Sequence, residues 1–470
     1  MTVQTLFSKA FLGGLVPTCE TEADKARIAL TLLLIFAFLL GGSARDDLAQ
    51  LVVLRPVTAV FLGYGLYGLK ASTVRQHKFL FAMAAGIVAL PLMQLVPLPP
   101  TFWRDLPGRD LVAQIDSVAG LGAQWRPLTL TPIETRNALF STMGPLAVLV
   151  LGTKLDEERR ARLLPVMLAL GCISAGLGLL QWGGSESSAL YLYPISNFGS
   201  PVGLFANRNH QALLLAVMMP MFLVWAVQDS AAVKVLAAVS VCLLLAMIVM
   251  IGSRAGLIAA ALAVLVSPLL QPLGGFCGMA GTGARKLVVI LASSMVLVTS
   301  VSVGTAMWLG RSEAWNRLVG QSGEVDLRLS VLPTLAELTR KYFPFGSGLG
   351  SFERVYLIAE PDALLNPNYV NHAHNDWLET VLTGGALAAT LILSSVVVFG
   401  IQAWRNLQAN VPLNPNRRLA RLGLLVVFLM ALGSVVDYPL RTPALAAFFS
   451  VAVLWSSCAP TKSGLAKLVD

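Results

Sequence analysis

The stretch that decides the fold is VKVLAAVSVCLLLAMIVMIG at residues 233–252, in which Lys234 is the one charged residue. A helix of this length extends about 30 Å, which is the thickness of the hydrocarbon core of a bilayer. Because lipid offers backbone amides no hydrogen-bond partner, the stretch predicts a transmembrane helix rather than an open strand.

Apolar stretches of similar length recur along the rest of the chain. Of its 470 residues, 56% are hydrophobic and 13% are charged, and the mean hydropathy is +0.72, values that few soluble proteins of this size have. We therefore predict an all-α integral membrane protein with about 12 transmembrane helices in a single domain over residues 1–470. The predicted spans are 27–41, 49–69, 79–98, 137–152, 163–182, 211–227, 233–252, 255–270, 287–308, 378–404, 419–435 and 443–457.

Lysine and arginine residues near the helix ends predict the orientation, because they are retained on the cytoplasmic side. With a cytoplasmic N-terminus, fourteen of them lie in cytoplasmic connections and four lie in short connections on the outer side. We therefore expect both termini in the cytoplasm. The net charge of +9 follows largely from this topology and requires no nucleic-acid partner. The four outer residues are Arg45, Arg208, Arg254 and Arg441.

Two connections on the outer side are long, residues 99–136 and 309–376. The first combines prolines with Trp103 and Trp125, a composition typical of a segment that lies on the membrane surface. The second contains a predicted amphipathic helix at about 325–342 and is long enough to cap a cavity.

A glycine-rich stretch, Gly346-Ser347-Gly348-Leu349-Gly350, follows that helix. No strand-turn-helix unit surrounds it, which argues against a dinucleotide site. Either a tight loop whose backbone approaches a ligand or a flexible turn fits this composition.

The chemistry is expected in the polar stretch NHAHNDWLE at residues 371–379. An imidazole can accept a proton near neutral pH, so His374 is suited to act as a general base that activates a hydroxyl. His372 is the local alternative, and a histidine that merely packs or contacts lipid headgroups is the alternative without catalysis. The neighbouring groups that could fix the tautomer of the base are Asn375, Asp376 and Glu379.

Arg254 lies between two apolar stretches with almost no loop around it. A desolvated guanidinium there costs about 2.5–3.5 kcal/mol unless it is paired or hydrated, so Arg254 is predicted to point into an aqueous or anionic pocket. Alternatively it extends to headgroup phosphates. For Arg328 the alternative is a solvated charge on a helix face or a salt bridge to Glu324 or Asp326, and for Arg208 it is similar. Other polar residues predicted on this side are Asn207, Asn209, His210, Asp437 and Arg441.

Together these motifs resemble the O-antigen ligase and polymerase group of bacterial membrane glycosyltransferases. The resemblance covers roughly residues 200–400, whereas the first half of the chain is similar only as a multi-span membrane protein. The motifs are Phe205 to Ala212, Ser253-Arg254-Ala255-Gly256, Arg328, Gly346 to Phe352, His374 to Glu379, and Gly384-Gly385.

The resemblance implies transfer of a glycan from an undecaprenyl (polyprenyl) diphosphate carrier to an acceptor hydroxyl, without nucleotide sugar, cofactor or required metal. The reaction would occur at the periplasmic face of the bacterial inner membrane. Arg254 and Arg328 would bind the diphosphate, and His374 would activate the acceptor with inversion of configuration. Arg208 stands where many members have proline, and it becomes a further candidate phosphate ligand. Asn207 and His210 would support the site.

The resemblance leaves the acceptor open. A second lipid-linked repeat would make the protein an O-antigen or exopolysaccharide polymerase, which the long first outer connection favours. The core sugar of lipid A would make it an O-antigen ligase, and a protein acceptor is the third possibility. Other expected partners are membrane lipids and polysaccharide-assembly proteins. A secondary transporter or flippase of an anionic lipid-linked substrate is the alternative class, which the absence of an inverted repeat disfavours.

Overall fold

The computed structural model describes residues 21–184, 189–226, 230–270, 324–365, 370–408 and 413–458, without the side chains of residue 231 and residues 324–328. The predicted span 287–308 lies outside these residues. The helices are α1 Glu22–Leu40, α2 Gln50–Leu66, α3 Ala71–Gln76, α4 Lys78–Gln94, α5 Pro100–Arg104, α6 Asp110–Val118, α7 Pro132–Ser141, α8 Met143–Thr153, α9 Glu157–Ala161, α10 Leu163–Gly183, α11 Arg208–Ala226, α12 Ala231–Ile251, α13 Arg254–Val266, α14 Glu324–Tyr342, α15 Phe352–Ala359, α16 Asp376–Leu407, α17 Pro415–Val436 and α18 Pro443–Ser456.

The predicted all-α class is confirmed for the described residues. Their strands form one antiparallel pair, β1 Pro97–Leu98 with β2 Arg126–Pro127. Five helical segments in the described ranges are long and apolar enough to cross a membrane, so the prediction of twelve spans is not confirmed. These are Glu157–Gly183, Arg208–Ala226, Ala232–Ile251, Asp376–Leu407 and Pro415–Val436, while Gln50–Leu66, Lys78–Gln94, Arg254–Leu270 and Pro443–Ser456 are apolar but shorter.

The predicted helix at 137–152 is wrong as a single element, because it divides into α7 and α8 at Thr142. Pro145 explains the division. A proline has no amide hydrogen to donate to the carbonyl four residues earlier, here that of Ser141, and its ring clashes with that carbonyl.

The central helix is α11, which is apolar on all sides and buried along most of its length. Small residues bring its neighbours close. A Cβ atom added to Gly256 of α13 would lie 2.5 Å from Cβ of Ala212, and one added to Gly433 of α17 would lie 2.8 Å from Cδ2 of Leu213. The beginnings of α11 and α13 and the end of α17 therefore meet, and we call this region the histidine end.

The predicted amphipathic helix at 325–342 corresponds to α14. Val331, Leu335, Leu338 and Tyr342 are buried at helical spacing, so one face of α14 is covered. They form an apolar cluster with α15, with Ala373 and with the first turns of α16. This cluster fixes the histidine segment to the membrane helices.

Helix α16 is broken at Gly385, whose φ of +64° and ψ of −150° are not helical. The glycine-rich stretch fills the break. Gly348 N and Gln94 Nε2 both donate to the carbonyl oxygen of Thr383, each at 2.9 Å, and Ala386 N donates to Pro344 O at 2.7 Å. The carbonyl and amide groups freed by the break are thus paired, as buried backbone requires.

The glycines of this stretch allow close approach to other parts of the protein, so the interpretation as a flexible turn is wrong. Gly348 has φ of +110°. A Cβ atom there would lie 1.8 Å from Oγ1 of Thr129. The buried Arg109 donates to Gly346 O at 2.9 Å and to Leu128 O at 2.6 Å. The stretch is therefore a packed junction between α16 and the connection that contains α5 and α6.

Candidate active site

Three of the four histidines of the chain surround the ring of Tyr438. The ring centroids of His372, His374 and His210 lie 4.5, 5.1 and 5.3 Å from that of Tyr438. These residues come from the segment before α16, from the first turn of α11 and from the turn after α17. The structure therefore brings together polar groups that are far apart in sequence.

His374 faces the carboxylate of Asp437. Its Nδ1 lies 3.4 Å from Asp437 Oδ1, although the angle is not that of a hydrogen bond. Asp437 is buried, and its Oδ2 accepts hydrogen bonds from Nδ2 of Asn209 at 2.8 Å and of Asn207 at 3.5 Å. The amides at the start of α11 thus orient the carboxylate toward the imidazole, an arrangement that favours a proton on Nδ1 and leaves Nε2 as an acceptor.

The backbone of His374 is strained. Its φ is +49°, and no other non-glycine residue in the described ranges has a positive φ. This left-handed conformation costs roughly 1–3 kcal/mol for a residue with a side chain and persists only where the surroundings enforce it. Strain of this kind is common at functional sites.

A second carboxylate supports His372. Glu379 is 1% exposed, and its Oε1 lies 3.2 Å from His372 Nδ1 and 3.1 Å from a terminal nitrogen of Arg441. Arg441 Nε also donates to Asp376 Oδ1 at 2.8 Å. Burial alone would lower the pKa of Arg441, but the nearby Glu379 and Asp376 raise it above the usual value. One permanently charged guanidinium therefore balances two buried carboxylates.

The arginines predicted to bind phosphate are only partly located. Arg208 and Arg254 are the first residues of α11 and α13, and the Gly256–Ala212 contact places both at the histidine end. The partial positive charge of a helix N-terminus favours anions there. Arg328 lies in the second turn of α14, but its side chain is outside the described residues, so its part in the site stays a prediction.

Comparison with known proteins finds one family model that matches part of the chain. Residues 238–393, about a third of the chain, are similar to the family described as O-antigen ligase. The match confirms the resemblance drawn from the motifs and, together with the apolar helices, indicates a multi-pass membrane protein that takes part in glycan transfer. A search of curated proteins finds no match to the chain.

The matched segment, residues 238–393, includes Arg254, Arg328 and His374, but it begins after Asn207 and ends before Asp437. The structure nevertheless joins these outlying residues to His374. The site is thus formed by the matched segment together with α11 and the turn after α17.

The sequence predicts Asp437 and Arg441 on the outer side without indicating a function for them, and it does not indicate Tyr438 as a site residue. The sequence does indicate that Asp437 and Arg441 have partners, because one acidic and one basic residue lie in a short turn between two apolar helices. Charged groups at membrane depth are rarely without partners. Nothing in the sequence distinguishes Tyr438 from an interfacial aromatic residue.

Within the residues that the structure describes, no group of three His, Cys, Asp or Glu residues could hold a metal ion. A surface cavity of about 530 Å³ lies between α5 and α6, away from the predicted site residues in sequence. Its lining residues are Arg104, Asp110, Ala113, Gln114, Ser117, Gly120 and Gly122.

Proposed function

We propose that the protein is a membrane glycosyltransferase that moves a glycan from a polyprenyl diphosphate carrier to a sugar hydroxyl, at the periplasmic face of the inner membrane. The observation that carries the proposal is the pairing of His374 with the buried Asp437, 3.4 Å apart, at the end of the bundle where Arg208 and Arg254 begin their helices. The similarity of residues 238–393 to the O-antigen ligase family supports the proposal.

In the proposed reaction, Nε2 of His374 takes the proton of the acceptor hydroxyl. The acceptor oxygen forms a bond to the anomeric carbon as the bond from that carbon to the carrier diphosphate breaks, so the configuration inverts. The leaving diphosphate keeps the bonding electron pair. Asp437 stabilises the imidazolium that forms and holds the ring in orientation.

Negative charge develops on the diphosphate as it leaves, and arginine is the side chain best suited to bind it. Guanidinium groups bind phosphate oxygens through paired hydrogen bonds and stay charged. We assign this function to Arg254 and Arg208, which lie at helix N-termini, and to Arg328. No step in this proposal requires a nucleotide sugar.

Transfer in proteoliposomes tests the proposal. Purified protein is given an undecaprenyl diphosphate-linked oligosaccharide with either a second lipid-linked repeat or lipid A-core as acceptor, and the product is followed by mass. We expect His374→Ala and Arg254→Ala to lose product by about 10²-fold or more. Product formed with the second lipid-linked repeat indicates a polymerase, and product formed with lipid A-core indicates a ligase.

His77→Ala is the matched control, because His77 lies in the connection between α3 and α4 and contacts Arg160 rather than Tyr438. It should retain the wild-type rate. Full transfer by folded His374→Ala protein would contradict the proposed base. Movement of the lipid-linked oligosaccharide across the bilayer without any transfer product would favour the transporter alternative.

A further inference from the structure

The strained backbone of His374 is held from both sides by the first turns of α16. On one side, Glu379 Oε2 accepts a hydrogen bond from Ala373 N at 2.8 Å. On the other side, Asn375 caps α16, and its Oδ1 accepts a hydrogen bond from Leu378 N at 3.0 Å. The left-handed residue therefore lies between two fixed peptide groups.

Asn375 acts as an ordinary helix cap. Glu379 also makes contacts that have no part in capping the helix. One of its oxygens binds the backbone of the histidine segment, and the other contacts the ring of His372 at 3.2 Å and Arg441 at 3.1 Å. The side chain is also fully enclosed. Its carboxylate thus contacts both His372 and Ala373, the two residues that directly precede His374.

A neutral side chain of the same shape could not reproduce these contacts. Glutamine has one acceptor oxygen, so it can accept from Ala373 N or from His372, but its amide group would then face another donor. It also carries no charge to balance Arg441, which would be left with Asp376 alone. A carboxylate is the group that satisfies all three donors.

We propose that Glu379 is a positioning residue for the transfer reaction. It fixes the backbone before His374, so that the left-handed turn directs the imidazole toward Asp437. The inference rests on the proposed function, since it assumes that His374 is the base. It gives Glu379 a function that requires no contact with either substrate. It also assigns to His372 the function of stabilising the left-handed turn at His374.

Steady-state kinetics test the positioning function. We expect Glu379→Gln and Glu379→Ala to lower kcat by about tenfold or more, with the KM for the undecaprenyl diphosphate-linked oligosaccharide changed by less than about twofold. Misplacing the base affects the chemical step, whereas binding of the donor uses other groups. Rates are calculated per folded protein, taken from the monodisperse fraction.

Thr383→Val is the matched control. Thr383 lies one turn further along α16, is equally buried, and donates to the carbonyl of Glu379 at 2.7 Å without touching the histidine segment. It should keep the wild-type kcat. If Glu379→Gln had wild-type kcat per folded protein while His374→Ala was inactive, the inference would fail and the proposed function would stand. An active His374→Ala variant would remove the premise of both.

A chemical probe tests the position of the histidines without any glycan. Diethyl pyrocarbonate modifies neutral imidazole nitrogens, and the four histidines of the chain can be followed by tandem mass spectrometry, in which fragment ions separate His372 from His374. In Glu379→Gln, we expect His372 and His374 to be modified several-fold faster relative to His77, because His372 Nδ1 loses its acceptor and the turn is released. Unchanged relative rates for both residues would contradict the inference.

Discussion

At the scale of single residues, Asp437 is predicted to matter as much as the histidine it faces. Asp437→Asn keeps the size of the side chain but places an amide among groups that donate hydrogen bonds, namely Asn209 Nδ2 and Tyr438 N. The imidazole of His374 then loses its negatively charged partner. We expect kcat to fall by about 10²-fold or more, as for other histidines deprived of their carboxylate. The measurement is the proteoliposome transfer rate, with Asp46→Asn as control, since Asp46 is exposed and pairs with Asn137 at 3.0 Å.

Single residues could be predicted from the sequence only where the signal is local. His374 and His372 stand in a polar stretch at the start of an apolar one, and Arg254 interrupts two apolar runs. The pairing of His374 with Asp437 depends on how α16 packs against α17, which no local pattern specifies. The same limit applies to Glu379, which the sequence indicates as a neighbour able to fix the tautomer of the base, but not as a partner of Arg441.

At the scale of one element, the break in α16 gives a stability prediction. A Cβ atom at Gly385 would lie 2.1 Å from Pro344 O, and the backbone there adopts angles open essentially to glycine alone. We expect Gly385→Ala to destabilise the protein by more than about 2 kcal/mol, measured as a lower thermal midpoint in detergent. Gly400→Ala on the same helix is the control, because its added Cβ meets no atom within 4 Å. Alanine should stabilise that position slightly. Equal midpoints for both variants would contradict this account.

The elements themselves were largely predictable, because a long apolar run in lipid has few alternatives to a helix. Helices lie at the predicted positions within the described residues, except that the predicted span 137–152 divides at Thr142 and the span 378–404 is broken at Gly385. Helix α14 lies where the amphipathic pattern indicates it. The break at Gly385 was not predictable, since Gly384-Gly385 alone is compatible with a continuous helix. The break depends on the glycine-rich stretch, which is not adjacent in sequence and which pairs with the backbone groups that the break leaves without helical partners.

At the scale of the whole molecule, the connections rich in lysine and arginine meet at one end of the bundle. Arg160 contacts His77 at 3.3 Å, Arg159 pairs with Asp24 at 2.8 Å, and Lys154 donates to Tyr67 O at 2.7 Å. Asp24 lies in the N-terminal segment and Tyr67 at the end of the second predicted span, and the other residues lie in connections that the sequence assigns to the cytoplasm, as it does the N-terminus. The histidine end is formed by the other set of connections. A single orientation of the protein in the membrane requires these two sets of connections to lie at opposite ends of the bundle.

This arrangement predicts which side of the membrane each end faces. In a chain without native cysteines, Ala123→Cys and Ser72→Cys place single thiols at exposed positions, one between α6 and β2 and one in α3. We expect a membrane-impermeant maleimide to label Ala123→Cys in intact spheroplasts, and Ser72→Cys only after permeabilisation. The reason is that Lys70, Arg75 and Lys78 surround Ser72 in the sequence, and such residues resist translocation. The reverse pattern would place the histidines in the cytoplasm, where the proposed transfer at the periplasmic face could not occur.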